Sequence, residues 1–130
     1  MPDRVATAAR AASPEPPAPG EWPPTDLVRH LIAVEEEVWH ARLRQLIEVE
    51  EPRWPSVEPD RWQDSPGASL DDLLAVYADR RAATVALLDE LGEDGWEKTG
   101  VHATFGRLDA ASLMRKALDH DAEHIASLER

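Results

Sequence analysis

The two imidazoles of His120-Asp121-Ala122-Glu123-His124 carry the most specific chemical signal in the chain. On a helix, residues i and i+4 are neighbours on one face, so both rings can grip one ion. A third ring, His30, lies near the start of an earlier amphipathic segment. Three protein nitrogens and an open fourth position form the donor arrangement of a catalytic rather than a structural metal. The sequence contains no cysteine, so the chain supplies no disulfide, no thiolate ligand and no thiol nucleophile. Any ion must be held by His, Asp or Glu.

The elements that would position these rings are helical. From about Pro24 to Val49, Leu27, Leu31, Val34, Val38 and Ala41 fall on one stripe, with prolines in the first turn and Asp26 at the favourable end of the dipole. Ser69-Leu70-Asp71-Asp72 is a capping-box variant with Asp for Glu, opening a helix with Leu70, Leu73, Leu74, Tyr77, Thr84, Leu87, Leu88 and Leu91 as its stripe. Gly92 is placed to end it. Asp109 caps a last helix running to about Glu129, striped by Ala110, Leu113, Met114, Ala117, Leu118, Ile125 and Leu128.

Residues 2 to 12 allow a short Ala-rich helix of about three turns, marginal without packing. Pro14 to Gly20 reads as an extended linker. Residues 50 to 68, with four prolines and a Pro66-Gly67 turn signal, and residues 93 to 108, with Gly106, are expected to be irregular. No strand pattern, repeat or glycine-rich phosphate loop is visible. The expected architecture is all-α, a four-helix bundle whose first helix is short, with residues 1–20 as helix and Pro-rich linker and residues 21–130 as the bundle proper.

Depth along the helices tests whether the histidines can meet. At about 1.5 Å per residue, His30 lies roughly 9 Å from the start of its helix and His124 roughly 8 Å from the end of its own. They share a level only if those helices are antiparallel. A simple up-down-up-down order makes the second and fourth helices parallel, so a shared site requires one crossover connection. His40 projects away from its stripe and is expected in solvent.

Composition narrows the function further. Fourteen Lys and Arg against 26 Asp and Glu give a net charge of -12, which repels phosphate backbones and anionic lipid, so nucleic acid is excluded as a partner. No apolar run approaches the roughly 18 to 20 residues needed to span a bilayer. The first residues lack a charged segment leading into an apolar one, so no secretory signal is expected and the cytoplasm is the default location.

Pro19-Gly20-Glu21-Trp22 before the His30-Leu31 helix, Arg80-Arg81-Ala82-Ala83-Thr84 in a helix leading to Leu91 and Trp96, Gly100-Val101-His102 before Gly106, and the His120 to His124 pentad recur in order. In these features the sequence resembles the DinB/YfiT-like superfamily of four-helix-bundle metalloenzymes, over roughly residues 18 to 129. The resemblance implies His30, His120 and His124 as ligands of nickel or zinc, and an up-down-down-up bundle with its crossover between the second and third helices. It further implies a small-molecule substrate, with hydrolases, maleylpyruvate isomerases and S-transferases of low-molecular-weight thiols such as mycothiol and bacillithiol among the relatives.

The leading expectation is therefore a metal-dependent hydrolase or thiol S-transferase; the alternative is a non-catalytic, stress-associated bundle serving as a binding or dimerisation module. The short first helix leaves an apolar groove for a second copy to cover, so a homodimer is expected. Asp121 is either an acceptor orienting a ligand imidazole or a partner for Arg80 or Arg81. Glu35-Glu36-Glu37 is expected to be a solvated face. Trp54 and Trp62 are expected to pin their connection to the bundle rather than line a pocket.

Overall fold

A computed structural model describes residues 2–12, 14, 22–55 and 67–129. All but the first residue of the expected linker over 14–20, and most of the long connection, Trp62 included, lie outside the described residues. Helix α1 spans Pro2–Ala11, α2 Pro24–Val34, α3 Ala41–Glu48, α4 Leu70–Trp96 and α5 Ala110–Glu129. Glu35–His40, between α2 and α3, is π-helical, and the residues at both junctions keep right-handed helical backbone, so α2, this segment and α3 form one continuous rod. Four helical rods result, as the sequence predicts. None is long and apolar enough to cross a membrane.

The rods share two apolar clusters, and the membership of each fixes the topology. One joins Val5, Ala8 and Ala9 of α1 to Leu27, Val28, Leu31 and Ile32 of α2, to Leu73, Leu74 and Tyr77 from the start of α4, and to Ile125 and Leu128 from the end of α5. The other joins Val38, Trp39, Leu43 and Leu46 to Leu87 and Leu91 of α4 and to Ala110, Leu113 and Ala117 from the start of α5. The second rod therefore runs parallel to α4 and antiparallel to α5. Arg10, in the last turn of α1, pairs with Asp71 in the first turn of α4. The order is up-down-down-up.

The π-helical segment resets the register of the second rod. A π turn holds an extra residue relative to an α turn, so everything beyond it is rotated back by about 100°. On an uninterrupted helix Leu43 and Leu46 would fall about 160° and 100° from Leu27. With the extra residue both enter the core, and each has no exposed surface. Ala41, assigned to the stripe by the α-helical period, is only half-buried.

The ends of α4 and α5 follow local chemistry. Ser69 Oγ accepts from Asp72 N at 3.2 Å, and Ser69 N donates to Asp72 Oδ2 at 3.4 Å, completing the expected capping box. Asp109 Oδ1 accepts from Ser112 N at 2.8 Å, the expected cap of α5. Gly92 does break the helix, with φ 65° and ψ 179°, a conformation that glycine alone adopts at low cost. The expectation that α4 ends there is corrected, since helix resumes and continues to Trp96.

The absence of strands is also corrected. β1 (Arg53–Trp54) pairs in parallel with β2 (Thr99–His102), and β2 pairs antiparallel with β3 (Gly106–Asp109). Such two- to four-residue strands are too short to show an alternating pattern, and β1 gains its partner only across the fold. The sheet does structural work for the bundle. Trp54, as expected, is a pin: it is buried with Leu108 in the second apolar cluster, a cluster that contains no residue of α1. Its Nε1 donates to Gln45 Oε1 at 2.6 Å. Its ring lies so close over Gly100 that a Cβ there would clash with it. The short α1 closes one half of the bundle and the sheet closes the other.

A buried ion cluster joins the rods at mid-height. Arg81 of α4 donates from Nε to Glu35 Oε1 and from Nη2 to Glu35 Oε2, both at 3.0 Å, and Nη2 reaches Asp121 Oδ2 of α5 at 2.6 Å. Glu35 and Asp121 are each 1% exposed. Of the acidic run expected to be solvated, only Glu37 is exposed, and Glu36 pairs with Arg80. Burial opposes the charge on Arg81, but the hydrogen bonds and charge of Glu35, with Tyr77 and Asp121 adding to them, more than reverse this and hold it protonated. Burial, then the charge of Asp121, likewise raises Tyr77 and keeps its hydroxyl neutral.

Two stability measurements check this architecture. In urea denaturation, Leu46→Ala should cost about 2–5 kcal/mol as a buried truncation, whereas Leu118→Ala, at a stripe position that is 46% exposed, should cost under about 1 kcal/mol. Arg81→Met should cost about 3–5 kcal/mol by stranding two buried carboxylates, and adding Glu35→Leu with Asp121→Asn should recover most of the loss.

Candidate metal centre

His30 sits on α2, two turns in from its start, and His120 and His124 sit on the last turns of α5. Because these rods are antiparallel, the three rings converge. One nitrogen from each of the three can be chosen so that all lie within 4.8 Å of one another. The ring centroids are 5.0 Å apart for His30 and His124, 5.5 Å for His30 and His120, and 4.4 Å for His120 and His124. All three side chains are half-buried.

The electrostatics keep these rings uncharged. Burial first, then the proximity of His120, lowers His30 to about 4. Burial, then His120 and His30, lowers His124 to about 4 as well. Burial also lowers His120, although Asp121, Glu123 and Glu35 pull the other way. A neutral imidazole has a free lone pair, which is the form a cation requires.

The donor atoms fit an ion. His120 Nε2 and His124 Nε2 are 3.2 Å apart. Two nitrogens bound to one ion at about 2.0–2.1 Å are separated by roughly 3 to 3.4 Å. Without an ion these two rings can share one hydrogen bond, but His30 Nδ1 and His120 Nδ1 stay buried with no partner among the described residues. Buried polar atoms are seldom left so. With three imidazoles and no sulfur, the donor set suits zinc or nickel and leaves coordination positions open.

The surroundings answer the remaining sequence questions. Asp121 is the partner of Arg81, and its carboxylate does not orient a ligand ring. Trp22 packs on His30 with ring centroids 4.8 Å apart, at the outer side of the site. Trp39 packs edge-on against His120 with centroids 6.3 Å apart. The period gave no hint of Trp39, because on an uninterrupted helix it falls about 120° from Leu27. His40 is half-buried beside Glu36 and Arg80 rather than fully in solvent, and takes no part in the site. His102 is structural: its Nδ1 accepts from Thr104 N at 2.9 Å and Phe105 N at 3.2 Å, closing the turn between β2 and β3.

Two solved structures share this architecture. YfiT from Bacillus subtilis, described as a probable metal-dependent hydrolase with an unusual four-helix bundle topology, matches with a TM-score of 0.75 and 20% identity, over 98% of this chain and 77% of that one. TT2238, described as a four-helix bundle protein, matches with a TM-score of 0.68 and 23% identity, over 98% and 88% of the two chains. At such identities the likeness establishes the fold. No curated protein matches the sequence. The family model of the DinB superfamily matches residues 4–128, which include all three histidines. The chain belongs to the DinB superfamily.

Proposed function

We propose that the protein is a metal-dependent enzyme acting on a small molecule, as a hydrolase or as an S-transferase of a low-molecular-weight thiol. The observation that carries this reading is the convergence of His30, His120 and His124, from rods far apart in sequence, with their nitrogens within 4.8 Å. The description of YfiT as a probable metal-dependent hydrolase supports it. A divalent ion, nickel or zinc, supplies Lewis acidity at such a site and gives a water or small thiol nucleophilic character at neutral pH. The chain's own part is to fix the three rings, hold them neutral and wall the site with Trp22 and Trp39.

We also propose that the protein is a homodimer, on the strength of its exposed apolar surface. A groove of about 580 Å³ between α1 and α5 is floored by Ala8, Ala11, Ile125 and Leu128, and none of the three histidines lines it. Val85 and Leu118 are 50% and 46% exposed, which a second copy would cover. Sedimentation equilibrium at tens of micromolar, expected to give a dimer mass, decides this.

Two measurements test the enzyme reading. After dialysis, elemental analysis should give about one divalent ion per chain, and His120→Ala or His124→Ala should remove it. A wild-type chain without stoichiometric metal would leave only the non-catalytic bundle. Mycothiol or bacillithiol with a model electrophile then separates the reactions, since a pure hydrolase shows no thiol-dependent turnover.

The pH dependence follows from the lowered histidines. Their folded pKa lies below the ordinary histidine value of 6.5, so the stability they contribute is complete above 6.5 and is lost as pH falls through that value toward about 4. The melting temperature of the metal-free protein should therefore drop across this window. Metal release on acidification should have its midpoint below 6.5, because protons must compete for rings already held neutral.

A further inference from the structure

Trp39 is a buried donor with nothing to donate to. The residue is 7% exposed, and its Nε1 has no hydrogen-bond partner among the described residues. An indole N–H is a donor only, so a second donor cannot satisfy it. The two buried carboxylates among the described residues, Glu35 and Asp121, are already engaged. Both oxygens of Glu35 accept from Arg81, and Asp121 Oδ2 does too.

Its position places it at the inner end of the histidine site. Trp39 lies further along the second rod than His30, and side chains on a helix lean back toward its N-terminus. The extra residue of the π-helical segment rotates Trp39 from about 120° to about 20° off the Leu27 direction, into the interior. There its ring meets His120. With Nε2 of His120 turned toward His124, the proton of a neutral His120 ring that ligates through Nε2 sits on Nδ1, which is also without a partner. The Nδ1–H of such a ring points away from the ion, which leaves the Trp39 N–H as a buried donor on a ring in contact with the site, with no acceptor from the described chain.

We propose that Trp39 is a ligand-binding residue, whose indole N–H donates to an anionic oxygen or sulfur of the small molecule that occupies the open position beside His30, His120 and His124. This rests on the metal reading above and adds a requirement to it: the occupant must present an acceptor toward the inner end of the bundle, as a carboxylate, hydroxamate or thiolate does. A hydrogen bond to a charged acceptor in a buried site is among the stronger ones, and its removal should weaken binding about tenfold.

The test uses the full chain loaded with cobalt, titrated with acetohydroxamate and followed by the visible bands of the ion. Trp39→Phe keeps the ring and removes only the N–H. It should bind the same amount of cobalt as the wild type and bind acetohydroxamate about tenfold more weakly. In the zinc-loaded wild type, the assigned indole N–H resonance of Trp39 should move downfield on adding acetohydroxamate. This second readout stands even where the variant fails to fold. Equal acetohydroxamate affinity in the two proteins, or an unmoved resonance, overturns the proposal while leaving the metal reading intact. A wild-type chain that binds no cobalt or zinc overturns both.

Discussion

The guanidinium of Arg81 is the constraint on which the bundle depends. It is shared by two buried carboxylates, and those carboxylates come from two other rods. An unpaired charge at these depths is far more costly than a mismatched apolar contact, so the three rods can slide or rotate only by breaking the cluster. Apolar stripes tolerate small shifts of register; a bidentate pair does not. Since His120 adjoins Asp121, and Glu35 lies five residues beyond His30, fixing Arg81 against both acids also fixes the rods that carry the three histidines.

The same cluster accounts for the π-helical segment. Glu35 opens it, and its carboxylate must turn inward to meet Arg81 while Leu31 and Val34 of the preceding turns stay buried. Accommodating an extra inward residue requires an extra residue in the turn. The consequences run down the rod. Trp39, Leu43 and Leu46 become core residues, Glu36 is left at the edge to pair with Arg80, and α3 arrives with Gln45 in reach of Trp54.

The sequence displayed the parts governed by local rules. Helix caps at Ser69 and Asp109, the break at Gly92, and the face shared by His120 and His124 depend on residues within a turn of one another, so spacing alone reveals them. The depth of His30 against His124 revealed the antiparallel pairing, because helical rise is nearly invariant. What the sequence concealed depends on distant partners. Glu35 looks like any member of an acidic run until Arg81 is placed beside it. Leu43 and Leu46 look off-stripe until the π turn is counted. Arg53 and Trp54 look like loop until β2 pairs with them.

The charge balance of the site has an order built into it. Around three neutral rings, the buried cluster carries two carboxylates against one guanidinium, and Glu123 and the chain's net charge of -12 add to the same sign. A cation is drawn to this place, and an anion by itself is not. The sign of the local field reverses only when a divalent charge is present, because a bound ion outweighs the partial and screened charges around it. On the proposed reading, an anionic ligand has reason to enter only after the cation, and the indole N–H of Trp39 gains an acceptor only then. Negative charge in the walls and neutral donors at the centre are compatible requirements: the first draws the ion, and burial enforces the second.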